Sequence, residues 1–289
     1  MIFYFVLRSV CTKFYQKQNL GGVSETKINE FILCFSQLAL NLPINHATML
    51  HKTKGIILYT LPYNDKFIII NMYTEDFGRV SYIAPNSHGR KSKVSRALLH
   101  PLSILEMEVE HLNNRDIQRL KEAKCGFTVT QIHFHPVKNA IALFLAEVLY
   151  RIIQEKEPNR SLFDYLLRSI KWLDIADEGI ANFHLAFLLQ LSAYIGIHPN
   201  GGSFKNGYYF DLLNGVFTES LPEHNNYLNK PDAIVFERLL RINYENMALY
   251  TFTRQERTTI IRYIIKYYRL HTSDFPEIKS LNVMQSLFD

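Results

Sequence analysis

The spacing of apolar residues changes its period once along this chain, and that change constrains the architecture more than any single motif. Between residues 52 and 123, β-branched and aromatic residues fall in short runs separated by turn-forming residues. The runs 52–61, 66–74, 79–84, one centred on 103–109, and 116–123 read as strands, with turns at 62–65, 75–78 and 113–114. Alternation and bounding Pro, Asn, Asp and Gly are what half-buried strands and tight turns require. Five such strands in close succession predict a small closed barrel of the OB type.

Beyond Pro136 the period becomes helical. Ile141, Phe144, Leu145, Val148 and Ile152 share one side of a helix over 138–154. Ser161 and Asp164 stand at capping-box spacing for a second helix running to about residue 172. A third is expected over 179–195, stopped at Gly196, and a fourth over 232–247. Thr253 and Glu256 form a capping box for a fifth, and a short last helix covers 280–288. The expected fold is therefore α+β: a barrel over 49–130, then a helical region over 131–289, with an irregular insertion at 197–231. Gly202 and Gly207 suggest a phosphate loop, but no Lys-Ser/Thr pair follows the second glycine and no strand precedes the first.

Charge is distributed unevenly, although the net formal charge is only +5. From 77 to 105 there is no Asp or Glu, while the same stretch holds Arg79, Arg90, Lys91, Lys93 and Arg96. Cations mixed with serines can donate to phosphate oxygens. The alternative is an ordinary solvated loop; a barrel context favours nucleic acid, because OB barrels present basic grooves to single strands. Tyr59, Tyr63, Tyr73 and Tyr82 could offer stacking faces or fill the core.

Catalytic and metal signatures are sparse. His133 and His135 would share one face of a strand, as would Glu106 and Glu108. The histidines lack an evident third ligand, and the carboxylates fit a solvated sheet face as well as acid–base chemistry. Cys11, Cys34 and Cys125 are too few for a disulfide framework or a cysteine zinc site, and their usage fits a reducing, cytoplasmic compartment. Cys125 is expected to be buried or half-buried. No apolar run is long enough to span a bilayer, and Arg8 interrupts the apolar start before any signal-peptide pattern forms. A binding protein without a cofactor is expected rather than an enzyme.

Residues 1–48 show little periodicity, which leaves two readings: an extension packed on the body, or sequence upstream of a true start at Met49. The segments Lys52-Thr-Lys-Gly-Ile-Ile-Leu58, Phe77-Gly-Arg-Val-Ser81 and Ala97-Leu-Leu-His-Pro-Leu-Ser103 bear on that choice. With Ser161-Leu-Phe-Asp164, Tyr194-Ile-Gly-Ile-His-Pro199, Tyr267-Tyr-Arg-Leu-His271 and Ile278-Lys-Ser-Leu281, they appear in the order found in the bacterial recombination mediator family RecO. The chain resembles that family from Met49 onward, which favours the second reading. The resemblance implies an OB-fold domain and a helical domain. It also implies binding of single-stranded DNA, annealing of complementary strands and assistance in loading the RecA recombinase. The implied partners are RecR and the acidic C-terminal tail of single-stranded DNA-binding protein. Arg79, Arg90, Lys91, Lys93 and Arg96 correspond to the family's DNA-contacting barrel residues. Lys138, Arg151, Arg160 and Arg168 are candidates for the tail. Many relatives carry four zinc-binding cysteines after the match to Tyr194–Pro199; this chain has none there, so the insertion is expected to keep its place without metal. An RNA-binding or RNA-processing OB protein is the alternative from the residues alone, and an enzyme built on Glu106, Glu108, His133 and His135 is a third.

Overall fold

A computed structural model describes residues 50–86, 93–112, 114–273 and 275–286, which fall in one compact unit. The expectations for residues 1–48, Arg90 and Lys91 lie outside the described residues.

The five expected strands form. They are β1 (Leu50–Pro62), β2 (Phe67–Thr74), β3 (Gly78–Pro85), β4 (Ile104–Glu110) and β5 (Ile117–Phe127). They close a barrel in the order β1-β2-β3-β5-β4. β1 is long because it serves two neighbours: its first half pairs with β4, from Leu50↔Glu110 to Ile56↔Ile104, and its second half with β2. A bulge at Leu58 re-aims the strand between the two pairings. The closing seam, β3 against β5, is parallel and short, spanning only Ser81↔Ile117 to Ile83↔Arg119. Ile57, Ile70, Met72, Tyr82, Met107, Val109 and Leu120 fill the interior. β4 falls where the strand centred on 103–109 is expected; ahead of it Arg96–Leu98 make a 3₁₀ turn, and Val94 and Leu99 enter the barrel core. Cys125, expected at least half-buried, is exposed, because the β4–β5 register shifts opposite it.

The helical body follows as α1 (Gln131–Phe134), α2 (Pro136–Ile152), α3 (Arg160–Ile175), α4 (Ile180–Tyr194), α5 (Lys230–Leu240), α6 (Arg254–His271) and α7 (Ser280–Ser286). Three expectations are corrected here. The cap of α3 is Asn159, not Ser161: its side-chain oxygen accepts from Leu162 N–H at 3.0 Å. The helix expected over 232–247 stops at Leu240. Asn243 Oδ1 accepts from the N–H groups of Glu245 and Asn246, both at 2.9 Å, so side-chain amides replace the next helical turn. The insertion at 197–231 is not wholly irregular. It folds as a three-stranded sheet of β6 (Tyr209–Asp211), β7 (Val216–Thr218) and β8 (Tyr227–Leu228), in the order β7-β6-β8. Phe210 anchors that sheet, its ring 4.8 Å from Phe217 and 4.5 Å from Phe236. Asp211 ties its turn by accepting from Leu213 N–H at 2.9 Å and Asn214 Nδ2 at 2.6 Å, with His224 Nε2 at 3.2 Å.

Barrel and helical body share a core. Ile56, Leu58, Tyr73, Leu102 and Ile104 leave the barrel and join the cluster formed by α2, α3, α4 and α6. The segment joining α2 to α3 lies across the start of β3. Arg79 N–H donates to Glu155 O at 3.2 Å, and its guanidinium donates to Ile153 O at 2.6 Å. Gly78 makes this approach possible. Its φ is +60°, and a Cβ there would stand 2.5 Å from Glu157 O.

Candidate nucleic-acid interface

The outer face of β1-β2-β3 is decided by register. Cross-strand partners point to the same side of a sheet, so Tyr59↔Asn71↔Ser81 form one row, Leu61↔Ile69↔Ile83 the next, and Phe67↔Pro85 the last. Their neighbours Ile68, Ile70, Val80, Tyr82 and Ala84 face the barrel interior. Deeper along the same face, the Tyr73↔Arg79 row is covered by the helical body, Tyr73 O–H donating to Asn159 O at 3.3 Å. The uncovered rows present an apolar, partly aromatic surface: Tyr59 is 45% exposed, Leu61 46%, Tyr63 60% and Phe67 39%. Buried apolar area is the main stabilising term in folding, so a contiguous exposed patch of this kind marks a binding surface more often than a lone exposed side chain does.

Cations border this face. Tyr59 lies against Tyr150 of α2, ring centroids 5.1 Å apart, and Tyr150 in turn carries the Arg79 guanidinium at 4.6 Å and that of Arg151 at 5.5 Å. On the far side the turn between β1 and β2 is fixed by Asn64 Oδ1, which accepts from Lys66 and Phe67 N–H at 2.9 Å each. Asn86 N–H then donates to Lys66 O at 2.8 Å. The chain therefore leaves β3 at Asn86, beside the turn that carries Tyr63 and Phe67. It returns at Lys93, whose carbonyl accepts from Ala123 N–H at 2.9 Å. Lys93 and Arg96 are exposed, while Val94 between them is anchored in the core.

The structure separates the rings that the sequence left equivalent. Tyr73 and Tyr82 are core residues at 1% and 0% exposure, and burial pushes the Tyr82 phenol well up from its ordinary pKa. Tyr59 and Tyr63 remain available. Leu61, Phe67, Ile69 and Ile83 were not singled out from sequence; alternation along each strand marks one face, but only the strand order shows that the three rows join.

The expected cationic sites scatter. Arg79 is half-buried and holds the α2–α3 segment through its bonds to Ile153 O and, at 3.0 Å, Gln154 Oε1. Lys138 is 2% exposed and donates to Asp174 O at 2.8 Å, so it cannot reach a partner's tail. Arg160 is exposed but ion-paired with Glu75 at 2.9 Å. Arg168 is exposed on α3, two turns beyond Arg160, and Arg151 is half-buried against Tyr150.

The carboxylate pair forms on one strand face as expected; the histidine pair does not. Glu106 and Glu108 share an outer face, within a cross-strand ladder mostly of opposite charges: Lys54↔Glu106↔Lys124, and Lys52↔Glu108 at 3.6 Å, with Glu108 also opposite Glu122, whose charge Lys124 meets at 3.2 Å. Such ladders stabilise sheets. His133 and His135 are not on a strand. The Asp174 carboxylate accepts from Thr130, Gln131 and Ile132 N–H, at 3.1, 2.7 and 2.9 Å, and so winds 131–134 into a helical turn. His133 therefore sits in α1 beside His100, ring centroids 4.8 Å apart, and burial followed by His100 lowers its pKa. His135 caps α2. Among the described residues no group of three or more His, Cys, Asp or Glu is placed to hold a metal, and no helix is long and apolar enough to cross a membrane.

A closed five-stranded barrel with an exposed apolar outer face, fused to a helical body through a common core, defines an OB-fold protein. Residues 49–127 match the family model described as Recombination protein O N terminal, and residues 133–281 match Recombination protein O C terminal. The chain is 46% identical over 242 residues to the DNA repair protein RecO of Bacteroides fragilis, covering 83% of this chain and 100% of the relative. It is 42% identical over 241 residues, with the same coverage, to that of Azobacteroides pseudotrichonymphae, and 36% identical over 246 residues to that of Porphyromonas gingivalis. The chain belongs to the RecO family of DNA repair proteins.

Proposed function

We propose that this protein binds single-stranded DNA across the outer face of β1-β2-β3, anneals complementary strands and helps load the RecA recombinase, without catalysing a reaction of its own. The observation that carries this reading is the exposed face of Tyr59, Leu61, Tyr63 and Phe67, opening beside the acid-free segment 77–105. Bases stack on aromatic faces irrespective of sequence, and cations along the edge follow the phosphates. The face of strands 2 and 3 and the loop between strands 1 and 2 are where OB folds hold oligonucleotides. Lys93, Arg96 and the segment bearing Arg90 and Lys91 would supply the phosphate contacts. RecR and the acidic tail of single-stranded DNA-binding protein are the partners that family membership suggests, with Arg151 and Arg168 the remaining candidates for the tail.

The test is a titration of Tyr59→Ala/Phe67→Ala with a fluorescent oligothymidylate, with unlabelled RNA of equal length as competitor. Each lost stack is expected to cost about 1–3 kcal/mol of binding. Wild-type affinity in the double variant would move the site elsewhere, and equal competition by RNA would replace the DNA reading by the RNA one.

A further inference from the structure

Annealing requires two strands to be held at once, and the barrel face accounts for one. Resting on the reading above, we infer that α6 and α7 form a second site for a single-stranded nucleic acid, with Arg262, Lys266 and Arg269 contacting its phosphates. α6 carries Arg254, Arg257, Arg262, Lys266 and Arg269 against one carboxylate, Glu256, in a chain whose whole formal charge is +5. Residues 262, 266 and 269 follow the i, i+4, i+7 stripe, so the three cations stand along one flank over about 10 Å of helix axis. That flank is one wall of a groove of about 300 Å³, whose other wall is Ile278, just before α7, with Leu281 and Asn282 in its first turn.

The cations are available. Arg262 and Arg269 are exposed and make no ion pair among the described residues. Lys266 is partly covered, donating only to Asn225 O at 3.3 Å. Among the described residues Glu277 is the single acid on the rim. Cations this close repel one another unless an anion lies between them, so the stripe favours a polyanion. The floor distinguishes a nucleic acid from an acidic peptide with an apolar anchor. Of the apolar side chains lining it, Ile265 and Ile278 are already 5% and 3% exposed and only Leu281 is partly open, leaving little apolar area to gain by burying a partner's side chain. What the groove offers is guanidinium, ammonium and amide donors, the groups that bind phosphate and sugar without reading sequence.

Full-length protein and the double variant Arg262→Ala/Arg269→Ala are compared in three measurements. In the first, one labelled oligonucleotide is titrated at several salt concentrations. The variant is expected to keep binding through the barrel, while the slope of the whole process falls by about 1.4 units, at about 0.7 per phosphate on a single strand. In the second, donor- and acceptor-labelled non-complementary strands report co-occupancy of one protein; the wild type gives energy transfer and the variant loses it. In the third, the annealing rate of complementary strands drops roughly tenfold in the variant and recovers in part in Arg262→Lys/Arg269→Lys, which restores the charge that releases counterions but not the bidentate guanidinium contact. An unchanged thermal midpoint excludes misfolding as the cause. Wild-type co-occupancy and annealing in the double variant would overturn the inference and leave the barrel reading intact. A wild-type protein that binds no single strand at all would instead overturn the barrel reading. Capture of an acidic decapeptide by the wild type, lost in the variant while two-strand binding persists, would overturn the inference about α6 and α7.

Discussion

Asp174 fixes the passage from the barrel to the helical body. Its carboxylate gathers Thr130, Gln131 and Ile132 N–H, and its own carbonyl accepts from the buried Lys138 ammonium. Replacing it by Ala leaves three backbone donors without a partner, and stability is expected to fall by about 2–4 kcal/mol in chemical denaturation; a loss under about 1 kcal/mol would show that water replaces the carboxylate. Arg79 can be separated from a phosphate contact in the same way. If its role is to hold Ile153 and Gln154, Arg79→Ala lowers stability by about 1–2 kcal/mol, as lost charged hydrogen bonds do, and leaves the salt slope of DNA binding unchanged. His184 carries a pH effect. Full burial, with Arg257 second, lowers its pKa to about 3 from 6.5. Above pH 6.5 both folded and unfolded chains hold it neutral. Below that the unfolded chain takes up a proton that the folded chain refuses, so stability falls by about 1.4 kcal/mol per pH unit towards pH 3. His184→Leu should remove one proton's worth of that slope between pH 6 and 4; an unaltered slope would place the acid sensitivity on another group.

At the scale of elements, the strands and most helices were legible because their apolar periods differ, and because Thr253 and Glu256 form the capping box that the sequence suggests, with Thr253 N–H donating to Glu256 Oε2 at 2.7 Å. What misled was local chemistry answered by a distant residue. His133 and His135 read as strand because nothing nearby shows Asp174 arriving from α3 to cap 131–134. The helix over 232–247 read as continuous because its apolar spacing outlasts Leu240, while Asn243 and Asn246 terminate it through amide bonds that periodicity does not register. The basic residues were visible as charge but not as roles: Lys138 looks like surface until its Nζ is found on Asp174 O. The face of β1-β2-β3 needed the strand register, which alternation alone does not supply. For the loop, replacing Arg90, Lys91 and Lys93 together by Ala should reduce the salt slope of binding by up to about 2 units and weaken unrelated sequences alike. Equal slopes would assign the loop to solvent.

At the scale of the molecule, the abundance of Phe and Tyr is explained mainly by the interior of the helical body. Trp172, Phe183 and Tyr244 stack with centroids 5.3–5.5 Å apart, and Tyr165 O–H donates to Phe187 O at 2.7 Å. Among the described residues the exposed Phe and Tyr rings are Tyr59, Tyr63, Phe67 and, on α1, Phe134, and only the first three gather at the outer face of β1-β2-β3. The parallel seam between β3 and β5 is only three residue pairs long, and the α2–α3 segment lies beside it, bonded to Arg79 and paired through Lys156 with Asp116 at 3.7 Å. The family boundary near residue 130 is thus a place to cut the text but not the protein. A barrel excised there would carry Ile56, Leu58 and Tyr73 bare to water and its weakest joint unbraced, so this OB fold is not a portable module, and transplanting its strand-holding face into another scaffold would mean bringing α2 along with it.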